Sequence, residues 1–212
     1  PNPNPNPNPN PNQAVVTMHT LPSGWRVAAV LEQVAAQRPA VTALIDAGAL
    51  ITGYTNHEVA ARLLPLLGAE FDGVVYLDEG DHKVILLRAG GTMGLERCGL
   101  PKERRFSFFD QVHTTGMDIP QAANARAVLT LSADLTFRDY AQAAYRMRGI
   151  GKGQTLLLFV IPEVDHPTHH STLLYLLTPT DTWWRTLLTA GVNAYHCYVG
   201  GASHHTTLPT DA

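Results

Sequence analysis

At 212 residues and a formal charge of -3, the chain is long enough to bury a real core as one domain and too short for a second full domain. It carries no global positive field that would gather nucleic acid. Cys98 and Cys197 stand far apart, without a CxxC or Cys-His metal spacing. This assigns no metal site and favours a reduced, cytoplasmic protein. No apolar run approaches the roughly 18 residues of a membrane span, and the first residues show no charged or apolar leader, so a non-secreted chain is expected.

Residues 1 to 12 are a strict Pro-Asn repeat. Its prolines remove backbone donors and its asparagines bury nothing apolar, so residues 1–13 are expected to form a disordered linker ahead of a single domain over 14–212. Deleting residues 1 to 12 should leave the melting temperature unchanged, and a large drop in a thermal melt would overturn the linker reading. Next, Val27, Val30, Leu31 and Val34 recur at helical spacing behind Ser23 and Gly24, and Pro39 stops that helix. Val41 to Ile45 reads as a buried strand ending at Asp46, Ala47 and Gly48. Thr55 and Glu58 form a capping box for a helix carrying Val59, Ala60, Leu63 and Leu64, which Pro65 bends or ends.

Val74 to Leu77, Val84 to Leu87, Phe106 to Phe109, Val128 to Leu131 and Leu156 to Ile161 are short apolar runs bounded by Gly, Asp and Pro. Strands alternating with helices predict an α/β fold, an open, mostly parallel sheet with helices on both faces. The first two of these runs are too close for a crossover helix and read as a hairpin. Asp181 to Ala190 reads as a helix anchored by Trp183 and Trp184, whose rings pack or stack on a ligand.

Polar residues gather between His113 and Glu163. HTTGMDIP follows the strand at Phe106 to Phe109, so the His113 ring can face the crevice at the carboxyl ends of the strands. It reads as a loop-tying hydrogen-bond partner or as a general base. Asp118 can orient His113, hold the water of a metal-bound nucleotide, or cap a helical turn opened by Ile119 and Pro120. Cys197, beside His196, is the candidate thiol; the other readings are a buried apolar cysteine there and at Cys98. Asp78, Glu79, Asp81 and His82 read as a solvated acidic turn or a cation site, and His166, His169 and His170 as an exposed loop.

Thr136 with Asp139 caps a helix that Gly149 is placed to end in a left-handed conformation. Its spacing puts Arg138, Gln142 and Arg146 on one face, free to bind, and Phe137, Tyr140, Ala141, Ala144 and Met147 on the packed face. Arg138, Gln142, Arg146, Arg148 and Lys152 are therefore the candidate phosphate- or partner-binding residues. The loop GIGKGQT superficially resembles a phosphate-binding P-loop, but it follows a helix and feeds a strand, the reverse of that motif's order. No cofactor is assigned.

These segments resemble two things. HTTGMDIP is similar to motif V, and DYAQAAYRMRGIGKGQ to motif VI, of the second RecA-like domain of superfamily 2 helicases and translocases. Tyr145 stands where the usual Gly precedes the first Arg, and the Arg-x-x-Arg spacing is contracted to Arg146 and Arg148. The closer resemblance is to large eukaryotic proteins known as ubiquitinyl hydrolases or ubiquitin thioesterases. It runs over about 41–164, through Asp110, His113, Thr114, Gly116 and Asp118, then Ala127 to Leu131, Gln142 and Ala143, Arg146 to Arg148, and Gly151 to Gln154.

The resemblance implies a RecA-like, helicase C-terminal-like module of a thiol-dependent deubiquitinase, with ubiquitin or a ubiquitinated protein as partner through the parent chain. The rival expectations are the second half of a nucleotide-dependent motor, its nucleotide shared with another RecA-like domain, and a non-catalytic interaction module.

Overall fold

A computed structural model describes residues 16–114 and 118–162. These residues build an eight-stranded sheet in the order β1-β8-β7-β2-β6-β3-β4-β5. The strands are β1 (Val16–Thr20), β2 (Ala43–Ile45), β3 (Gly73–Leu77), β4 (Lys83–Leu87), β5 (Thr92–Gly94), β6 (Arg105–Phe109), β7 (Arg126–Leu131) and β8 (Thr155–Val160). All neighbours from β1 to β3 pair in parallel, while β4 and β5 extend the sheet as an antiparallel meander. The α/β reading and the hairpin at β3 and β4 are thus borne out. Strands β1 and β5 escaped the sequence reading because VTMHT and TMG are short and partly exposed edge segments without an apolar run.

Helices α1 (Val27–Ala36) and α2 (Asn56–Leu66) bury Val30, Leu31, Val34, Val59, Ala60 and Leu63 against Leu44, Val74, Phe106, Phe108, Val128 and Phe159 on one sheet face. In α2 the capping box forms as predicted: the Glu58 N–H donates to Thr55 Oγ1 at 3.2 Å, and the Thr55 N–H donates to Glu58 Oε2 at 2.8 Å. Pro65 lies in its last turn, and the helix ends one residue later.

Helix α3 (Phe137–Ala144) also has its capping box, with Thr136 and Asp139. The chain crosses the sheet one way from β1 to β2 to β3 and the other way from β7 to β8. Right-handed crossovers then put α3, which packs on β7, on the face opposite α1 and α2. The connections leaving β2 and β6 run in opposite directions, so a crevice opens at the carboxyl ends of these neighbouring strands.

One expectation about α3 is corrected. The helix stops at Ala144, five residues short of Gly149, and the positive φ angles fall at Gly151 and Gly153. The N–H groups of Arg146 and Met147 donate to the carbonyls of Ala143 and Ala144, three residues back. This tightening rotates Arg146 off the polar face and into the protein, where it is 7 % exposed. Tyr140, Ala144 and Met147 pack as expected.

Candidate functional site

Three carboxylates mark the carboxyl ends of adjacent parallel strands: Asp46 after β2, Asp110 after β6 and Asp78 after β3. Asp46 is 1 % exposed. Its Oδ1 accepts the Leu50 N–H at 2.9 Å and the Thr130 hydroxyl at 2.7 Å, and its Oδ2 accepts the Ile51 N–H at 2.9 Å. Burial pushes its pKa up and prevails over these donors, with the charge of Asp110 adding to the rise. Asp46 read only as a strand end in the sequence; the Asp-Ala-Gly run after an apolar strand was the available signal.

Beyond β6, a 3-10 turn at Val112–Thr114 carries His113. The His113 N–H donates to the Asp110 carbonyl at 3.1 Å, which folds the ring back onto the Asp110 side chain. His113 Nδ1 lies 2.5 Å from Asp110 Oδ1, and Nε2 lies 2.7 Å from Asp81 Oδ1. Burial lowers the pKa of this ring, but the hydrogen bonds and charges of Asp81 and Asp110 outweigh it and the net shift is upward. Asp118 is therefore not the group that orients His113. It lies 3.6 Å from Arg148, and the residues from Asp118 to Pro120 form no helical turn for it to cap.

Asp81 comes from the turn joining β3 to β4. Residues 78–82 make that turn, the Asp78 N–H donates to the His82 carbonyl at 3.0 Å, and Asp81 adopts φ 60°, a position that favours glycine. Asp78 Oδ1 accepts the N–H groups of Gly80 and His82, each at 2.9 Å. Donation by the His82 N–H, the largest influence, holds the Asp78 carboxyl below its ordinary range. Among the described residues no group of His, Cys, Asp and Glu could hold a metal ion.

Facing the turn is the start of α2. Asn56 Nδ2 donates to the Leu77 carbonyl at 2.9 Å, and His57 Nδ1 sits 2.7 Å from the Tyr76 hydroxyl, whose pKa burial raises. Between α2, the turn and His113 lies an open cleft of ≈ 520 Å³. Among the described residues neither Ser nor Cys lines it, and the Thr55 hydroxyl there is engaged by Glu58. The described residues thus give the cleft a candidate base and no candidate nucleophile. Cys197, His166, His169, His170, Trp183, Trp184 and the helix read at Asp181 to Ala190 lie outside the described residues.

The arginine cluster is a separate feature. Arg148 is exposed, its guanidinium 4.1 Å from the centre of the Tyr145 ring. Arg146 is buried, its Nε has no acceptor, and no carboxylate among the described residues pairs with it. Burial, then the Arg148 charge, lowers its pKa, while Asp118 opposes the shift. Arg138 and Lys152 are exposed and Gln142 half-buried, so Arg146 does not share a free face with Arg138 and Gln142.

Gln154, buried, closes the glycine loop: its Oε1 accepts the Gly149 N–H and its Nε2 donates to the Ala122 carbonyl, each at 2.7 Å. The N–H groups of Gly151, Lys152 and Gln154 donate to carbonyls within the same loop. These amides are occupied, so the loop is no phosphate cradle.

No helix among the described residues is long and apolar enough to cross a membrane. No protein-family model, no curated protein and no solved structure matches the chain.

Proposed function

We propose that this chain is a RecA-like module of a ubiquitin-thioesterase-like protein, and that its own task is to receive an anionic group on Arg146 and Arg148. The observation that carries this reading is the burial of Arg146 without a partner among the described residues. Buried charges are paired or neutralised, because an unpaired ion in a low-dielectric interior costs several kcal/mol, on the order of the chain's whole stability. A guanidinium stays protonated even there, so the pairing must come from elsewhere. The exposed Arg148 beside it supplies a second positive charge, and a phosphate or carboxylate accepts two such donors at once.

The mostly parallel sheet and the place of these arginines after α3 agree with the motif VI resemblance. The anion is then a nucleotide phosphate completed by a second RecA-like domain. Titrating the full chain with pyrophosphate and with ATP by calorimetry tests the reading. Saturable binding that weakens as salt rises supports it, and the absence of binding for both anions rejects it.

A second reading, thiol hydrolysis by the chain itself, draws on the Asp110 carboxylate that orients His113, the arrangement a general base requires. Since no described residue brings a thiol to His113, the isolated chain is expected to leave unlabelled a ubiquitin probe with a thiol-reactive C-terminus. Labelling of the wild type that vanishes in both Cys197→Ala and His113→Ala would overturn this expectation and establish the dyad.

A further inference from the structure

We propose that His113 is a proton-operated clasp on the cleft: as an imidazolium it ties the β3–β4 turn to the 3-10 turn after β6, and on losing a proton it releases the β3–β4 turn.

The argument is one of donors and acceptors. Both ring nitrogens face carboxylate oxygens, Nδ1 that of Asp110 and Nε2 that of Asp81. A carboxylate only accepts, so both contacts are hydrogen bonds only when both nitrogens carry a proton, which is the imidazolium. In the neutral ring one nitrogen turns a lone pair toward a carboxylate, and that contact must open.

The two contacts are not equal. Asp110 is three residues away, is 22 % exposed, and is joined to His113 by the backbone bond described above. Asp81 is 70 % exposed, 32 residues distant, and held in a left-handed conformation that costs a non-glycine residue backbone energy. The exposed contact, with no local backbone bond to support it, is the weaker of the two, so the Asp81 contact is the one that opens.

The other ionisable groups around the ring do not supply an alternative bridge. Asp78 is engaged by its own turn and by His82, Glu79 is exposed, and His57 is engaged by Tyr76 across the cleft. Asp46 acts on Asp110 from the end of β2, and α3, which touches the 3-10 turn, carries Arg138 and Asp139, both exposed.

The raised pKa of His113 agrees with the bridged imidazolium. Because the folded value lies above the ordinary 6.5, the clasp adds stability below pH 6.5 and loses it as the pH rises through the raised value. The turn-side wall of the cleft, where Asp81 meets His113, is thereby fixed at low pH and free to move at high pH.

Nuclear magnetic resonance titration of the nitrogen-15-labelled full chain tests the clasp. A second histidine, His82, lies in the same turn, so the measurement is made in a His82→Gln background. We expect both His113 nitrogens to be protonated at low pH, and the amides of Gly80 and Asp81 to shift with the midpoint of the ring. In Asp81→Asn, an exposed change that keeps a residue tolerant of the left-handed conformation, the ring midpoint should fall and the coupled amide shifts should vanish. Turn amides that stay silent while the ring titrates, or a midpoint unmoved by Asp81→Asn, would overturn the proposal.

Discussion

Arg146→Met is expected to weaken anion binding roughly ten- to hundredfold while leaving the chain as stable as the wild type or more so. Methionine matches the length of the buried stem and fills irregular space, whereas the guanidinium it replaces leaves a buried N–H unpaired. Replacing buried charge by apolar volume is commonly neutral or stabilising by about 1–4 kcal/mol. On the binding side, losing a charge-assisted hydrogen bond costs about 1.5–3 kcal/mol, which is roughly a ten- to hundredfold weaker association with pyrophosphate. Arg146→Lys should fall between, since it keeps the charge and loses the planar fork. Calorimetry and thermal melts on the same three proteins separate the two quantities. If Arg146→Met lost stability in step with affinity, Arg146 would be a structural residue and the anion reading would fall.

The burial of Arg146 inverts the free placement that the sequence suggested for it, and the reason is local. The i, i+4, i+8 spacing of Arg138, Gln142 and Arg146 is a sound helical pattern, and arginine is rarely buried. Nothing in the pattern reports that the helix tightens after Ala144, which turns the third member inward while the first stays exposed. Capping boxes, by contrast, are local signals read within four residues, and both the Thr55 and Thr136 boxes form.

His113 lies between these cases. Its Asp110 partner is three residues away and legible, but its Asp81 partner depends on β6 pairing with β3, a fact of strand order that no window of sequence contains. Once the order is known, the juxtaposition follows: parallel neighbours end together, so the turn after β3 and the turn after β6 meet at one edge of the sheet. The same logic brings Asp46 to Thr130, because β2 pairs with β7 and the two residues sit just past and within the matched ends of those strands.

Asp46→Ala should therefore be the most damaging single polar substitution at this end of the sheet, with a loss of roughly 3 kcal/mol or more. Truncation leaves the Leu50 and Ile51 N–H groups and the Thr130 hydroxyl without their acceptor, and each buried donor so orphaned costs about 1–3 kcal/mol. Water can relieve Ile51, which is only half-buried, more readily than Leu50. Asp46→Asn should cost less, because one oxygen still accepts two of the three donors while the new amide faces the third.

Thr130→Val removes the hydroxyl that also accepts the Gly48 N–H at 3.0 Å, so it breaks two links at once. The two sites share a hydrogen bond, and the double variant Asp46→Ala with Thr130→Val should lose less stability than the two single losses combined. Chemical denaturation of the four proteins measures that cycle. Additive losses would mean that Asp46 holds the turn after β2 through Leu50 and Ile51 alone, and that the bond between β2 and β7 contributes nothing to placing the crevice.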